Sequence, residues 1–147
     1  MRRLESCVLA LALLAACGDK PDAAKEEHED HAAHEALHGG EILDLGGGAA
    51  HLEVIHDGDG GNITVYVLGA DLKTPVAVEA PVVNLVASAG PVQVALTAID
   101  PAADGRASVW KGSHEGLKAE PLDGRIRVKI GDKNYQSPLE GEAHEHK

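Results

Sequence analysis

The stretch Arg125-Ile126-Arg127-Val128-Lys129-Ile130 alternates a cation with a branched hydrocarbon at every step. A period of two belongs to an extended strand with one wet face and one buried face, because successive Cβ atoms point to opposite sides of a sheet. Ile126, Val128 and Ile130 are therefore expected to face a core, and Arg125, Arg127 and Lys129 to face water. Shorter apolar runs at 41–45, 51–56, 62–68, 76–79, 82–88, 92–99, 108–111 and 134–137 read as strands in the same way. Asp57-Gly58-Asp59-Gly60-Gly61, Ala89-Gly90-Pro91 and Gly131-Asp132-Lys133 supply turns between them. Residues 113–118 read as a helical turn. Short strands at this spacing, with no long helical period and no internal repeat, predict an all-β fold: a single antiparallel β-sandwich of immunoglobulin-like type over residues 38–139.

The core of such a sandwich has few aromatics to draw on. The chain holds no Phe, one Trp and two Tyr, so Val, Leu, Ile and Ala must fill the space between the sheets. Its formal net charge of -11 repels a phosphate backbone, and the aromatic shortage removes the platforms on which bases or sugars stack. Nucleic acid is excluded as a partner. An acidic chain with nine histidines is suited instead to cations.

Residues 1–16 have the form of an export signal, with Arg2 and Arg3 ahead of an apolar run over 8–16 that is too short for a bilayer span. The run ends in Leu14-Ala15-Ala16-Cys17, which resembles the lipobox of bacterial lipoproteins. That resemblance implies cleavage before Cys17, lipid attachment to Cys17, and a chain held by its acyl groups on the periplasmic side of a bacterial envelope. Gly18 stands where inner-membrane members of the family often carry Asp, which favours the outer membrane. Cys7 is lost with the signal, so Cys17 is the one cysteine left and no disulfide forms within the chain.

Residues 17–37 form a charged arm rich in His, Glu and Ala, and residues 140–147 a polar tail with His144 and His146. Placed on a helix, His28, His31, His34 and His38 fall within an arc of about 120°. Neighbours three or four apart on such a face are close enough to hold one ion together. Neutral imidazoles suit divalent ions of the Zn or Cu class, with Glu27 and Glu35 available to complete the shell. The rival reading is a flexible spacer, held soluble by charge, since so short a helix is marginal alone in water.

A second group of candidates lies in the sandwich itself. His38-Gly39-Gly40 leads into the first strand, and the next strand carries His51, Glu53 and His56. Alternation sets His51 and Glu53 on one face and Leu52 and Val54 on the other, so His51 and Glu53 read as an outward half-site that His38 approaches if the two strands pair. His56 falls on the core side, where a structural histidine is expected.

The segment HGGEILDLGGGAAHLEVIHD followed by ITVYVLGADLKTPVAV resembles a small domain of bacterial envelope proteins. That domain occurs as stand-alone lipoproteins and near the N-terminus of some periplasmic adaptor proteins of heavy-metal efflux pumps. The resemblance covers roughly 38–78 and, more weakly, GRIRVKIGDKNYQSP. It implies shared roles for His38, Gly39, Gly40, His51, Glu53 and His56, and an envelope or efflux protein as partner. The coiled-coil and barrel parts of an adaptor are absent from the sequence.

No arrangement for catalysis emerges. Ser113-His114-Glu115 are adjacent and so unable to present Ser to His as a triad does. Asp57-Gly58-Asp59-Gly60 lacks the register and twelfth-position Glu of a calcium loop. The sequence thus predicts a non-enzymatic, lipid-anchored protein that binds divalent metal through His38, His51, Glu53 and His56, with His28, His31, His34, His144 and His146 as further ligands. The alternative is a metal-independent docking module on a His-rich spacer.

Overall fold

The computed structural model describes residues 36–119 and 121–140. They form two antiparallel sheets packed as a sandwich. In chain order the strands are β1 (Glu41–Leu45), β2 (Ala50–Asp57), β3 (Asn62–Gly69), β4 (Val82–Ala87), β5 (Gly90–Val94), β6 (Leu96–Ile99), β7 (Val109–Ser113), β8 (Asp123–Ile130) and β9 (Lys133–Glu140). A five-stranded sheet runs β1-β2-β3-β7-β6, and a four-stranded sheet runs β5-β4-β8-β9. A single 3₁₀ turn, Glu115–Lys118, joins β7 toward β8.

Alternation decides what each strand gives to the core. Leu52, Val54, Ile63, Val65 and Val67 line the inner side of the larger sheet, and Val83, Leu85, Ile126, Val128 and Leu139 that of the smaller. All are almost fully buried. Trp110 adds a large aromatic, with Tyr135 packed against the same core, and the Trp110 indole N–H donates to the Ala107 carbonyl at 3.0 Å, so the buried polar atom is satisfied. Leu117 of the 3₁₀ turn is wholly buried and plugs the same core. The turn between β2 and β3 is set by Asp57, whose carboxylate accepts from the Gly60 N–H at 3.0 Å and from Asn62 Nδ2 at 3.1 Å. Those two bonds hold Asp57 below the usual carboxylate range.

Two predicted strands come out differently. The run over 92–99 is not one strand but two, β5 and β6, which lie in different sheets. Val94 ends β5 pointing into the core, the chain changes sheet at Ala95, and Leu96 begins β6, so one side of the sandwich is closed by continuous chain. At the other side the edge strands β1 and β9 approach each other. The run over 76–79 is not a ladder strand. It makes one bridge, Val78 to Ala107, with both amides bonded at 2.9 and 3.0 Å. Pro75 and Pro81 flank it and lack the N–H groups a longer ladder needs.

Candidate functional site

β2 is the second strand of the larger sheet, hydrogen-bonded to β1 on one side and β3 on the other. Its odd-numbered residues His51 and Glu53 turn away from the core, as alternation requires, yet they are not open to solvent: His51 is 3% exposed and Glu53 0%. The outward half-site expected from the sequence is therefore covered. For Glu53 the cover is the segment 36–40, a strap that crosses the outer face of β2 before entering β1.

The strap is fixed to Glu53 by three hydrogen bonds. Glu53 Oε1 accepts the backbone N–H of His38 at 2.5 Å and that of Gly40 at 3.1 Å, while Oε2 lies 2.7 Å from His38 Nδ1. Tyr66, directly opposite Glu53 on β3, supplies a floor on which the His38 ring stacks, with ring centres 3.7 Å apart and planes 3° from parallel. The two glycines have separate reasons. Gly39 has φ +78°, in the left-handed region. At Gly40 a Cβ would sit 2.6 Å from the Val54 carbonyl oxygen, so only a bare backbone comes this close to β2. Replacing Gly40 by Ala is expected to lift the strap and lower stability by about 1–3 kcal/mol, the usual cost of overpacking, read as a fall in thermal midpoint.

Burial alone raises the Glu53 pKa. The His38 side chain, the two backbone N–H groups and the nearby His38 ring outweigh it, and the net shift is downward. An ionised carboxylate only accepts hydrogen bonds, so His38 Nδ1 must carry the proton in this pair. In the neutral ring the lone pair then sits on Nε2. The His38 side chain is 39% exposed, and Nε2 takes no partner among the described residues.

His51 is used differently. Its Nδ1 lies 3.2 Å from the Gly69 carbonyl oxygen, and its Nε2 lies 3.6 Å from Asp44 Oδ2, directly across on β1. The same Gly69 carbonyl accepts the Leu72 N–H at 3.1 Å, which ties His51 to the loop after β3. That loop is organised by Asp71, whose carboxylate accepts the Thr74 hydroxyl and the Thr74 and Lys73 N–H groups and is held down to about 2. His56 is on the inner side of the sheet, with Nε2 2.5 Å from the Leu117 carbonyl oxygen of the 3₁₀ turn. His114 caps that turn by accepting the Gly116 N–H at 2.9 Å.

The structure thus brings together His38 and Glu53, keeps His51 in a neighbouring pair with Asp44, and sends His56 to the opposite face of the strand. Ala36–Gly40 are not helical, so His38 does not continue a helical arc with His34. Its backbone is committed to Glu53 instead. Among the described residues, no group of three or more His, Cys, Asp or Glu side chains is placed to share a metal ion. Cys17, His28, His31, His34, His144 and His146 lie outside the described residues. Tyr66 was not anticipated from the sequence, although pairing Asp57 with Asn62 across the predicted turn already puts Tyr66 opposite Glu53.

Fold and site together define an all-β sandwich with a histidine strap locked onto a buried glutamate. No protein-family model, curated protein or solved structure matches the chain.

Proposed function

We propose that the chain is a lipid-anchored protein on the periplasmic side of a bacterial envelope, and that it binds divalent transition-metal ions of the Zn or Cu class with His38 as its ordered ligand. The observation that carries this reading is the His38–Glu53 pair. A carboxylate that takes the Nδ1 proton fixes ring orientation and tautomer and leaves the Nε2 lone pair for a metal, which is the outer-shell arrangement most ligating histidines use. Glu53 is then an orienting group rather than a ligand, since both its oxygens are occupied by N–H donors. His28, His31 and His34, a few residues upstream of His38, are the remaining ligands, with His144 and His146 as further donors. The lipobox supports the anchor through Cys17, and an envelope or efflux protein is the natural recipient of the metal.

A second reading is favoured by a specific observation: the bonds from Glu53 to the strap, with the Tyr66 stack, account for His38-Gly39-Gly40 and Glu53 without any ion. On that reading the motif only secures the start of β1, the arm is a spacer, and the sandwich docks a partner protein. Calorimetric titration of Zn²⁺ and Cu²⁺ into the mature chain from Gly18 to Lys147 separates the two. Stoichiometric binding is expected, weakened both by His38→Ala and by joint replacement of His28, His31 and His34 with Ala. Unchanged affinity in the His38→Ala chain removes the strap from the site, and no binding at all leaves the docking module.

A further inference from the structure

The outward face of β8 presents Arg125, Arg127 and Lys129, all exposed, alternating with buried Gly124, Ile126 and Val128. At about 6.7 Å per pair of residues they form a cationic row roughly 13 Å long. Cross-strand partners of opposite charge are the usual neighbours of such a row. Here no carboxylate lies directly opposite any of the three, and the carboxylates of that face, Asp123 and Glu140, are paired with each other at its Arg125 end. Asn84 and Pro138 flank Arg125, Val82 and Gln136 flank Arg127, and Asn134 faces Lys129. None of the three cations forms an ion pair among the described residues. In a chain of net charge -11 this row of three cations without ion pairs stands apart.

We infer that the open face of the β5-β4-β8-β9 sheet is a docking surface for an anionic lipid bilayer, with Arg125, Arg127 and Lys129 against the headgroups. A sheet face lined by a straight row of cations suits a flat anionic surface better than a pocketed ligand. The net negative charge of the chain does not forbid it. Fixed charges are screened within roughly 8 Å at physiological salt, so a surface responds to the face turned toward it and hardly to carboxylates on the far side of the sandwich. The proposal rests on the anchored reading for its effective concentration. The nineteen residue-to-residue steps from Cys17 to Ala36 span at most about 68 Å, which keeps the domain within reach of the membrane that holds Cys17. Attraction worth about fivefold per basic residue near an anionic leaflet adds up to roughly a hundredfold for the row.

The test is co-sedimentation of the unacylated chain from Gly18 to Lys147 with vesicles of equal parts phosphatidylglycerol and phosphatidylcholine, against vesicles of phosphatidylcholine alone. Binding is expected to the anionic vesicles only, and to fall by about a hundredfold in the Arg125→Glu, Arg127→Glu, Lys129→Glu variant. The Lys73→Glu, Lys111→Glu, Lys118→Glu variant carries the same change of net charge on other surfaces and is expected to bind as the parent does. Equal loss in both variants, or no preference for anionic vesicles, overturns the proposal and assigns the row to solvent or to an acidic segment of protein. The chain used is not acylated, so this outcome is independent of whether Cys17 carries lipid. Membrane fractionation of Cys17→Ser cells reads that point separately.

Discussion

Replacing Glu53 by Ala is expected to destabilise the sandwich by about 3 kcal/mol, because it removes the acceptor of three hydrogen bonds, two of them to backbone N–H groups of the strap. For a domain of this size that is a fall in thermal midpoint of about 10 °C or more. The loss does not stay local. The strap leads directly into β1, an edge strand whose ladder partner among the described residues is β2, so release of His38 and Gly40 frees the beginning of that ladder as well. Hydrogen exchange should accordingly show Glu41–Leu45 amides losing protection ahead of β3 and β7. The pH dependence carries a sign that can be checked independently. Glu53 has a folded value below its ordinary 4.5, so it binds fewer protons in the native state than in the unfolded state. Its contribution is complete above that ordinary value and is lost as pH falls through the lowered one. The denaturant midpoint of the parent chain should therefore fall more steeply with acid than that of Glu53→Gln, which has no proton to gain there. Parallel pH profiles for the two chains would show that the buried carboxylate is not holding the strap.

How much of this was legible beforehand depends on which force sets each feature. The faces of β2 and β8 follow from alternation, because burial of hydrocarbon on one side of a strand is a local property of the sequence. The core composition was equally readable, since a chain without Phe has little else to bury. What alternation does not reveal is what lies on the outer face. Glu53 reads as a solvent-facing acid in a two-residue period and becomes fully buried only because Gly39 and Gly40 let 36–40 lie across it. That is a contact between residues thirteen to fifteen apart, made by backbone N–H groups that no side-chain pattern records. The same limit explains His38. Spacing alone put it on a helical arc with His34, but a β-branch-free run of charges and alanines carries no information about a glutamate waiting on the next strand but one. The division of 92–99 into β5 and β6 was hidden for the opposite reason, since an apolar run that changes sheet keeps hydrocarbon on both sides of the crossing and looks continuous.

Glu53→Gln should also change the chemistry of His38 in a way that separates an orienting role from a purely mechanical one. A glutamine at 53 still offers one oxygen to the backbone N–H groups of His38 and Gly40, but its amide presents N–H to the imidazole where the carboxylate presented a lone pair. His38 Nδ1 must then accept, which moves the ring proton to Nε2 and removes the lone pair from the exposed side. Affinity for Zn²⁺ is expected to fall by about 10–100-fold, the usual consequence of losing the carboxylate behind a ligating histidine. His38→Ala removes the proposed ligand itself and is expected to cost at least as much. Nitrogen-15 correlation spectra of the imidazole supply the readout that stability does not, with the proton on Nδ1 in the parent and on Nε2 in Glu53→Gln. A switched tautomer with lowered affinity, in a chain still folded by the protection of its β2–β3 amides, supports Glu53 as the group that prepares His38 for metal. A switched tautomer with unchanged affinity places the metal on the arm histidines alone and leaves His38 as the stacking residue that fastens the strap to Tyr66.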